Sequence, residues 1–131
     1  MNVFLIVGVI IVLMISLKLF MQKRSQRFRG KTVNISIFDN EIKDLLKQKK
    51  SILYFYTPTC SACKTQAPII EKLKEDVFNV GKIDLSNNRN IATEFGILGT
   101  PTTAIMQGNN VAEIFVGFKK YDFLKSKFED L

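Results

Sequence analysis

Three observations predict an α/β fold: a mixed central sheet flanked by helices on both faces, preceded by one N-terminal transmembrane helix. An almost unbroken apolar run opens the 131-residue chain. Beyond it, short strand-forming runs alternate with segments of helical spacing in the order β-α-β-α-β-α, which calls for parallel strands covered on both sides. The chain then closes with β-β-α, and two consecutive strands call for an antiparallel edge.

The N-terminal run, Val3 to Leu17, is apolar apart from Gly8 and Ser16, and with Lys18 snorkelling it extends through Leu19, Phe20 and Met21. About nineteen helical residues at ~1.5 Å each reach roughly 28 Å, close to the hydrocarbon thickness of a bilayer. A cleaved signal peptide would carry basic residues before the run and a small-residue cleavage site after it. Neither is present, so residues 1–21 read as an uncleaved anchor contacting the lipid bilayer through residues 3–21.

Charge divides the chain unevenly. Six of its 19 Lys and Arg, and none of its 12 acids, fall within residues 1–31. The remainder is close to neutral, so the basic excess belongs to one flank and gives no nucleic-acid-binding face. Residues 22–31 read as a basic juxtamembrane tether with headgroup contacts, and residues 32–131 as one small domain. Basic residues near a span stay on the cytoplasmic side. All of these lie after the run, which points to a single-pass membrane protein with its domain facing the cytoplasm. Two cysteines are compatible with a reducing compartment.

Within the domain, Val33-Asn34-Ile35 is a short candidate first strand. Asp39 is a helix cap, followed by Ile42, Leu45 and Leu46 on one face. Ile52 to Tyr56 is continuously apolar, as a strand buried on both faces should be. Cys63, Ala67, Ile70, Leu73 and Val77 then recur at helical spacing, with Pro68 expected to kink that helix. Val80 to Leu85 is the next strand. Asn87 or Asn88 caps a short helix carrying Ile91, Ala92 and Phe95. Thr102–Met106 and Val111–Val116 form a hairpin around Gln107-Gly108-Asn109-Asn110. Gly117 breaks the last strand, and Tyr121, Leu124 and Phe128 face inward from a terminal helix.

The stretch with chemistry in it is Thr57-Pro58-Thr59-Cys60-Ser61-Ala62-Cys63-Lys64, which holds both cysteines of the chain. It lies where a buried strand ends and a helix begins, so free N–H groups and the positive end of the helix dipole face the first sulfur. Both favour the reactive thiolate. Two intervening residues let the second sulfur close a ring onto the first, as a reversible dithiol/disulfide switch requires. A zinc site would need further soft ligands, and the chain has no histidine and no third cysteine. Two inert core thiols fit poorly at an exposed corner. No metal and no cofactor is expected.

These residues resemble the thioredoxin family. Phe55-Tyr56, Cys60-Ser61-Ala62-Cys63-Lys64 and Ala67-Pro68 are similar to its active-site stretch, Lys82-Ile83-Asp84 to its third strand, Phe95-Gly96-Ile97 with Gly99-Thr100-Pro101-Thr102 to its cis-proline segment, and Val116-Gly117 to its late glycine. The similarity covers roughly residues 33–131. It implies a thioredoxin-like oxidoreductase, a protein-disulfide reductase in which Cys60 attacks a substrate disulfide and Cys63 resolves the mixed disulfide. It implies a cis bond before Pro101, with Gly99, Thr100 and Pro101 binding the substrate chain. Partners would be disulfide-containing proteins and an upstream thiol reductant.

Three departures bear on chemistry. Thr59 replaces the family's tryptophan, Ser61-Ala62 replaces its Gly-Pro pair, and Tyr54 stands where thioredoxins keep a buried aspartate. Tyr54 and Lys82 are therefore expected to set the proton-transfer environment of Cys63. Lys82, deprived of its counter-charge, should reach solvent or titrate low. Thr100-Pro101-Thr102-Thr103 also resembles membrane-tethered extracytoplasmic relatives. That leaves two alternatives: a reductase or isomerase of exported proteins, and a non-catalytic binding module at the membrane.

Overall fold

A computed structural model describes residues 2–77 and 79–131. Helix α1 (Val3–Gln26) leads into a 3-10 turn (Ile35–Ile37) and α2 (Asn40–Leu45). The order continues as β1 (Ser51–Tyr56), α3 (Ser61–Val77), β2 (Val80–Asp84), α4 (Arg89–Phe95), β3 (Thr102–Gln107), β4 (Asn110–Val116) and α5 (Tyr121–Glu129).

The four strands form one mixed sheet in the order β2-β1-β3-β4. β1 pairs parallel with β2 and antiparallel with β3, and β3 pairs antiparallel with β4. Side chains of β1 alternate between two cores, as period 2 dictates. Leu53 and Phe55 join Phe38, Ile42, Ile91 and Phe95 on one face. Ile52 and Tyr54 join Ile70, Leu73, Leu124 and Phe128 on the other. Phe55 and Phe95 are fully buried with ring centroids 4.8 Å apart. Burying one such ring contributes on the order of 2–3 kcal/mol. β1 therefore supplies both cores, and its last residue lies four positions before Cys60.

The predicted first strand is absent. Thr32 makes one bridge to Asn110, and Val33 is buried with its N–H on Asn109 O at 2.9 Å. Asn34 then ends any ladder: its Oδ1 accepts from Ser36 N at 3.0 Å, a local bond that turns the chain into the 3-10 segment. Asp39 caps α2 as expected, accepting from Ile42 N at 2.9 Å. Asn88 precedes α4 without a side-chain cap, because its amide donates back to Asp84 O at 2.7 Å. Helix α3 runs unbroken through Pro68, which lies on its exposed face.

Helix α1 is long and apolar enough to cross a membrane, from Val3 to Arg24, and its apolar window holds no buried residue, although Met14, Leu17 and Met21 line a pocket with Ile114 to Gly117 of the β4 end. The segment read as a tether is helical through Gln26 and then bonds to the domain. Gly30 N donates to Val111 O at 2.6 Å, and Val111 N to Lys31 O at 2.8 Å. Arg29 pairs with Glu113 at 2.5 Å, and Lys31 Nζ reaches Glu94 O at 2.8 Å. The Phe28 ring lies against Gly96, whose φ of 62° ends α4 and where any Cβ would collide with that ring.

Candidate active site

Cys60 precedes the first residue of α3, at the corner the sequence placed it. Its N–H bonds Thr57 O at 3.3 Å, and its carbonyl accepts from Lys64 N at 3.4 Å, the first helical bond. Cys60 and Cys63 form a disulfide with Cα atoms 5.2 Å apart. The Cys63 N–H points at Cys60 Sγ, 3.1 Å away. That donor is one of the unpaired N–H groups of a helix start, and it would stabilise a thiolate on Cys60. Exposure separates the two sulfurs: Cys60 is half-buried, whereas Cys63 is 3% exposed.

Opposite the cysteines lies the segment before β3. The Thr100–Pro101 peptide is cis. Thr100 O is 3.4 Å from Cys60 Sγ, and the Thr57 and Thr100 hydroxyls approach to 3.5 Å. Thr102 Oγ1 donates to Gly99 O at 2.7 Å, and Gly117 N donates to Pro101 O at 2.8 Å. Gly117 makes that approach with a φ of 88°, a conformation that strains any residue with a Cβ. Thr100 thus lies beside Cys60, with Gly99 and Pro101 as its chain neighbours.

Tyr54 and Lys82 lie on the same side of the sheet as Cys63, and Lys82 takes the first of the two outcomes expected of it by reaching solvent. Tyr54 lies under the cysteine helix, 2% exposed and stacked on Tyr56 with centroids 5.6 Å apart. Its hydroxyl donates to Cys63 O at 3.0 Å, so it is bonded to the backbone and not to Lys82. Burial raises the phenol above its ordinary pKa, and neighbouring Tyr56 adds to the rise, so Tyr54 is a neutral donor near pH 7 and not a base. Lys82 does not lie in an apolar core. β2 is an edge strand, and from it the ammonium swings out to Glu71 of α3 at 2.5 Å, with the Lys82 side chain 41% exposed. The Lys82 hydrogen bond lowers the Glu71 carboxyl below its usual value. What Tyr54, Lys82 and Cys63 share is a pocket of about 250 Å³, also lined by Tyr56, Lys64 and Ala67. Among the described residues, no carboxylate lines it. Among the described residues, no cluster of three His, Cys, Asp or Glu could hold a metal ion.

One site residue escaped the sequence reading. Gln66, one turn after Cys63 on the buried face of α3, has no exposure. Its amide bonds the Lys119 backbone twice: Nε2 donates to the carbonyl at 2.9 Å, and Oε1 accepts from the N–H at 2.7 Å. The available signal was a polar residue at the i+3 position from Cys63, on a face otherwise read as apolar.

Comparison with known proteins agrees with this geometry. The thioredoxin family model matches residues 30–130. Thioredoxin from Bacillus subtilis is 34% identical over 74 residues, covering 54% of this chain and 71% of that protein. Thioredoxin from Chlorobaculum thiosulfatiphilum is 29% identical over 96 residues, covering 71% of this chain and 87% of that protein. Among solved structures, a thioredoxin variant from Halobacterium salinarum superposes with a TM-score of 0.65 at 28% identity, covering 71% of this chain and 84% of that one. Oxidised mitochondrial thioredoxin 3 from Saccharomyces cerevisiae gives a TM-score of 0.62 at 25% identity, covering 82% and 99%. The chain belongs to the thioredoxin family and is a thiol–disulfide oxidoreductase built on the Cys60–Cys63 pair.

Proposed function

We propose that this oxidoreductase is a membrane-anchored protein-disulfide reductase, with residues 1–21 as the anchor. In its dithiol form the Cys60 thiolate attacks one sulfur of a substrate disulfide, and the other substrate sulfur leaves as a thiolate. Cys63 then attacks Cys60 Sγ and expels the second substrate thiolate. Two electrons pass to the substrate, and the enzyme is left with the Cys60–Cys63 disulfide. An upstream thiol reductant restores the dithiol; a relative in Mycobacterium leprae is named a bifunctional thioredoxin reductase/thioredoxin.

The observation that carries the assignment of roles is the asymmetry at the start of α3. Cys60 is the more accessible sulfur and receives the Cys63 N–H, whereas Cys63 is buried behind it. Gly99, Thr100 and Pro101 would hold an extended substrate segment by backbone pairing. The domain faces the cytoplasm on this reading, supported by the basic residues that follow the span. The run Thr100-Pro101-Thr102-Thr103 favours the extracytoplasmic alternative, reduction or shuffling of disulfides in exported proteins.

Reduction of insulin by the full chain in mild detergent, driven by dithiothreitol, tests the activity. Failure to accelerate it would leave the binding-module reading in its place. Labelling the reduced cysteines with a membrane-impermeant maleimide, in intact and then in permeabilised cells, tests the side. Labelling before permeabilisation would move the domain outside.

A further inference from the structure

A closed circuit of short contacts surrounds the disulfide. Cys60 Sγ meets Thr100 O at 3.4 Å, and Pro101 O accepts from Gly117 N at 2.8 Å. Two residues on, the Lys119 backbone is held at both its N–H and its carbonyl by Gln66. Helix α3 then returns from Gln66 through Cys63 to Cys60. Every link but one is backbone or the reactive sulfur itself. Gln66 is the one replaceable side chain in it, and it joins the cysteine helix to the segment that braces Pro101.

An amide with both of its heteroatoms bonded to a single residue's backbone fixes distance and orientation together, as a rung of a β-ladder does. The burial of Gln66 adds weight. A fully buried amide stays only where its donor and acceptor are both satisfied, and Lys119 satisfies both. An apolar side chain of similar size would fill the same space but would release the 117–119 segment from α3.

We infer that Gln66 is a positioning residue for substrate binding: it sets the width of the cleft between the cysteine helix and the Thr100–Pro101 edge. The inference rests on the proposed reductase reading, in which a protein segment lies in that cleft while Cys60 attacks. Substrates that use the edge should feel the loss of Gln66. A small disulfide, which needs only the sulfur, should feel it far less.

The test compares the full chain with Gln66→Met and Gln66→Glu, using insulin and a small aromatic disulfide as the two substrates. Losing one to two net hydrogen bonds predicts that Gln66→Met raises KM for insulin by about 3- to 10-fold, with kcat moving by less than about twofold. The ratio of insulin to small-disulfide kcat/KM should fall by a similar factor. Gln66→Glu adds a pH readout that a role in fold stability alone would not give to KM. A protonated carboxyl still donates to the Lys119 carbonyl and accepts from its N–H. A carboxylate can only accept, and it faces that carbonyl unfavourably. Relative to wild type, its insulin KM should therefore be near normal at about pH 5.5 and raised at about pH 8, because burial raises the carboxyl pKa and keeps the group protonated in mildly acidic solution. An insulin-to-small-disulfide ratio equal to wild type in Gln66→Met overturns the inference. If that variant does not fold, a pH-independent relative KM in Gln66→Glu overturns it instead. Should the wild-type chain itself leave insulin oxidised, the reductase reading falls and takes this inference with it. A competent wild type with unaltered variant ratios removes this inference alone.

Discussion

Replacing Tyr54 by Asp puts a carboxyl group beneath Cys63, on the wall of the pocket that no carboxylate among the described residues lines. The cost follows from what is removed. The Tyr54 ring is 2% exposed, stacks on Tyr56 and hydrogen-bonds Cys63 O. Loss of a buried ring costs about 3–5 kcal/mol, and burying a carboxyl group adds to it. That is a large share of the roughly 5–15 kcal/mol that stabilises a small domain, so the comparison belongs at low temperature. The gain follows from what is added. An aspartate is shorter than the tyrosine, but the vacated ring volume and the existing pocket leave room for a water between carboxylate and sulfur. Proton transfer through one water is within the reach of a general base, and such bases contribute about 10²–10⁴-fold when ideally placed. An unoptimised site should deliver about 10-fold in the resolving step near neutral pH. Stopped-flow measurement of mixed-disulfide release, with wild type and Tyr54→Asp side by side, reads that step directly. Equal release rates in two folded proteins would refute the reasoning and show that proton removal from Cys63 is already served by another group.

Further outcomes are expected. Cys60→Ser should abolish insulin reduction, and Cys63→Ser should accumulate a mixed disulfide visible on non-reducing gels; an adduct on Cys60→Ser alone would reverse the two roles. Tyr54 should make the fold sensitive to alkali. Its folded pKa is raised above the unfolded value of 10.0, so its contribution is complete below that value and is lost as pH rises through the folded pKa. Tyr54→Phe should flatten chemical denaturation midpoints above about pH 10 and lower stability near pH 7 by about 0.5–1.5 kcal/mol, the worth of one hydrogen bond. Finally, a fragment starting at residue 28 should unfold at higher denaturant than one starting at 32. The shorter fragment lacks the Gly30–Val111 bond, the Arg29–Glu113 pair and the Phe28–Gly96 contact. Coincident unfolding curves would mean that this segment adds nothing to the domain.

The elements most legible in the sequence were those fixed by one strong local pattern. Ile52 to Tyr56 could only be a strand buried on both faces, and it supplies both cores. Gln107 to Asn110 could only turn a hairpin, and β3 and β4 are joined there, with Gln107 paired to Asn110 across Gly108-Asn109. Asp39 was a cap by side-chain chemistry and is one. The failures occurred where two local options differ by about one hydrogen bond. Val33-Asn34-Ile35 has strand composition, yet the Asn34 side chain offers a bond to Ser36 that competes with a ladder partner. Asn88 does stand at the N-cap of α4, yet its side chain bonds backward to Asp84 instead of capping the helix. Residues 28–31 look like linker because their partners, Val111, Glu113 and Glu94, lie more than sixty positions away. No local pattern can announce a partner at that separation.

The site shows the same division in its charges. The corner between β1 and α3 was readable because Cys60, Cys63 and the helix start lie within a few residues, and the helix itself presents the Cys63 N–H to Cys60 Sγ. The fate of Lys82 was harder, because it depends on which strand forms the edge of the sheet. A lysine opposite Tyr54 on an interior strand would have been a buried, unpaired ammonium, costing several kcal/mol. On edge strand β2 the same register, Tyr54 opposite Lys82, costs little, since the flexible stem carries the charge out to Glu71. The missing aspartate therefore leaves no stranded cation behind it. Tyr54 instead spends its one proton on Cys63 O, tying the strand to the first turn of the cysteine helix. Lys64 and Lys82 line the same pocket beside Cys63, so the polar groups that face it there include that phenol and two lysines.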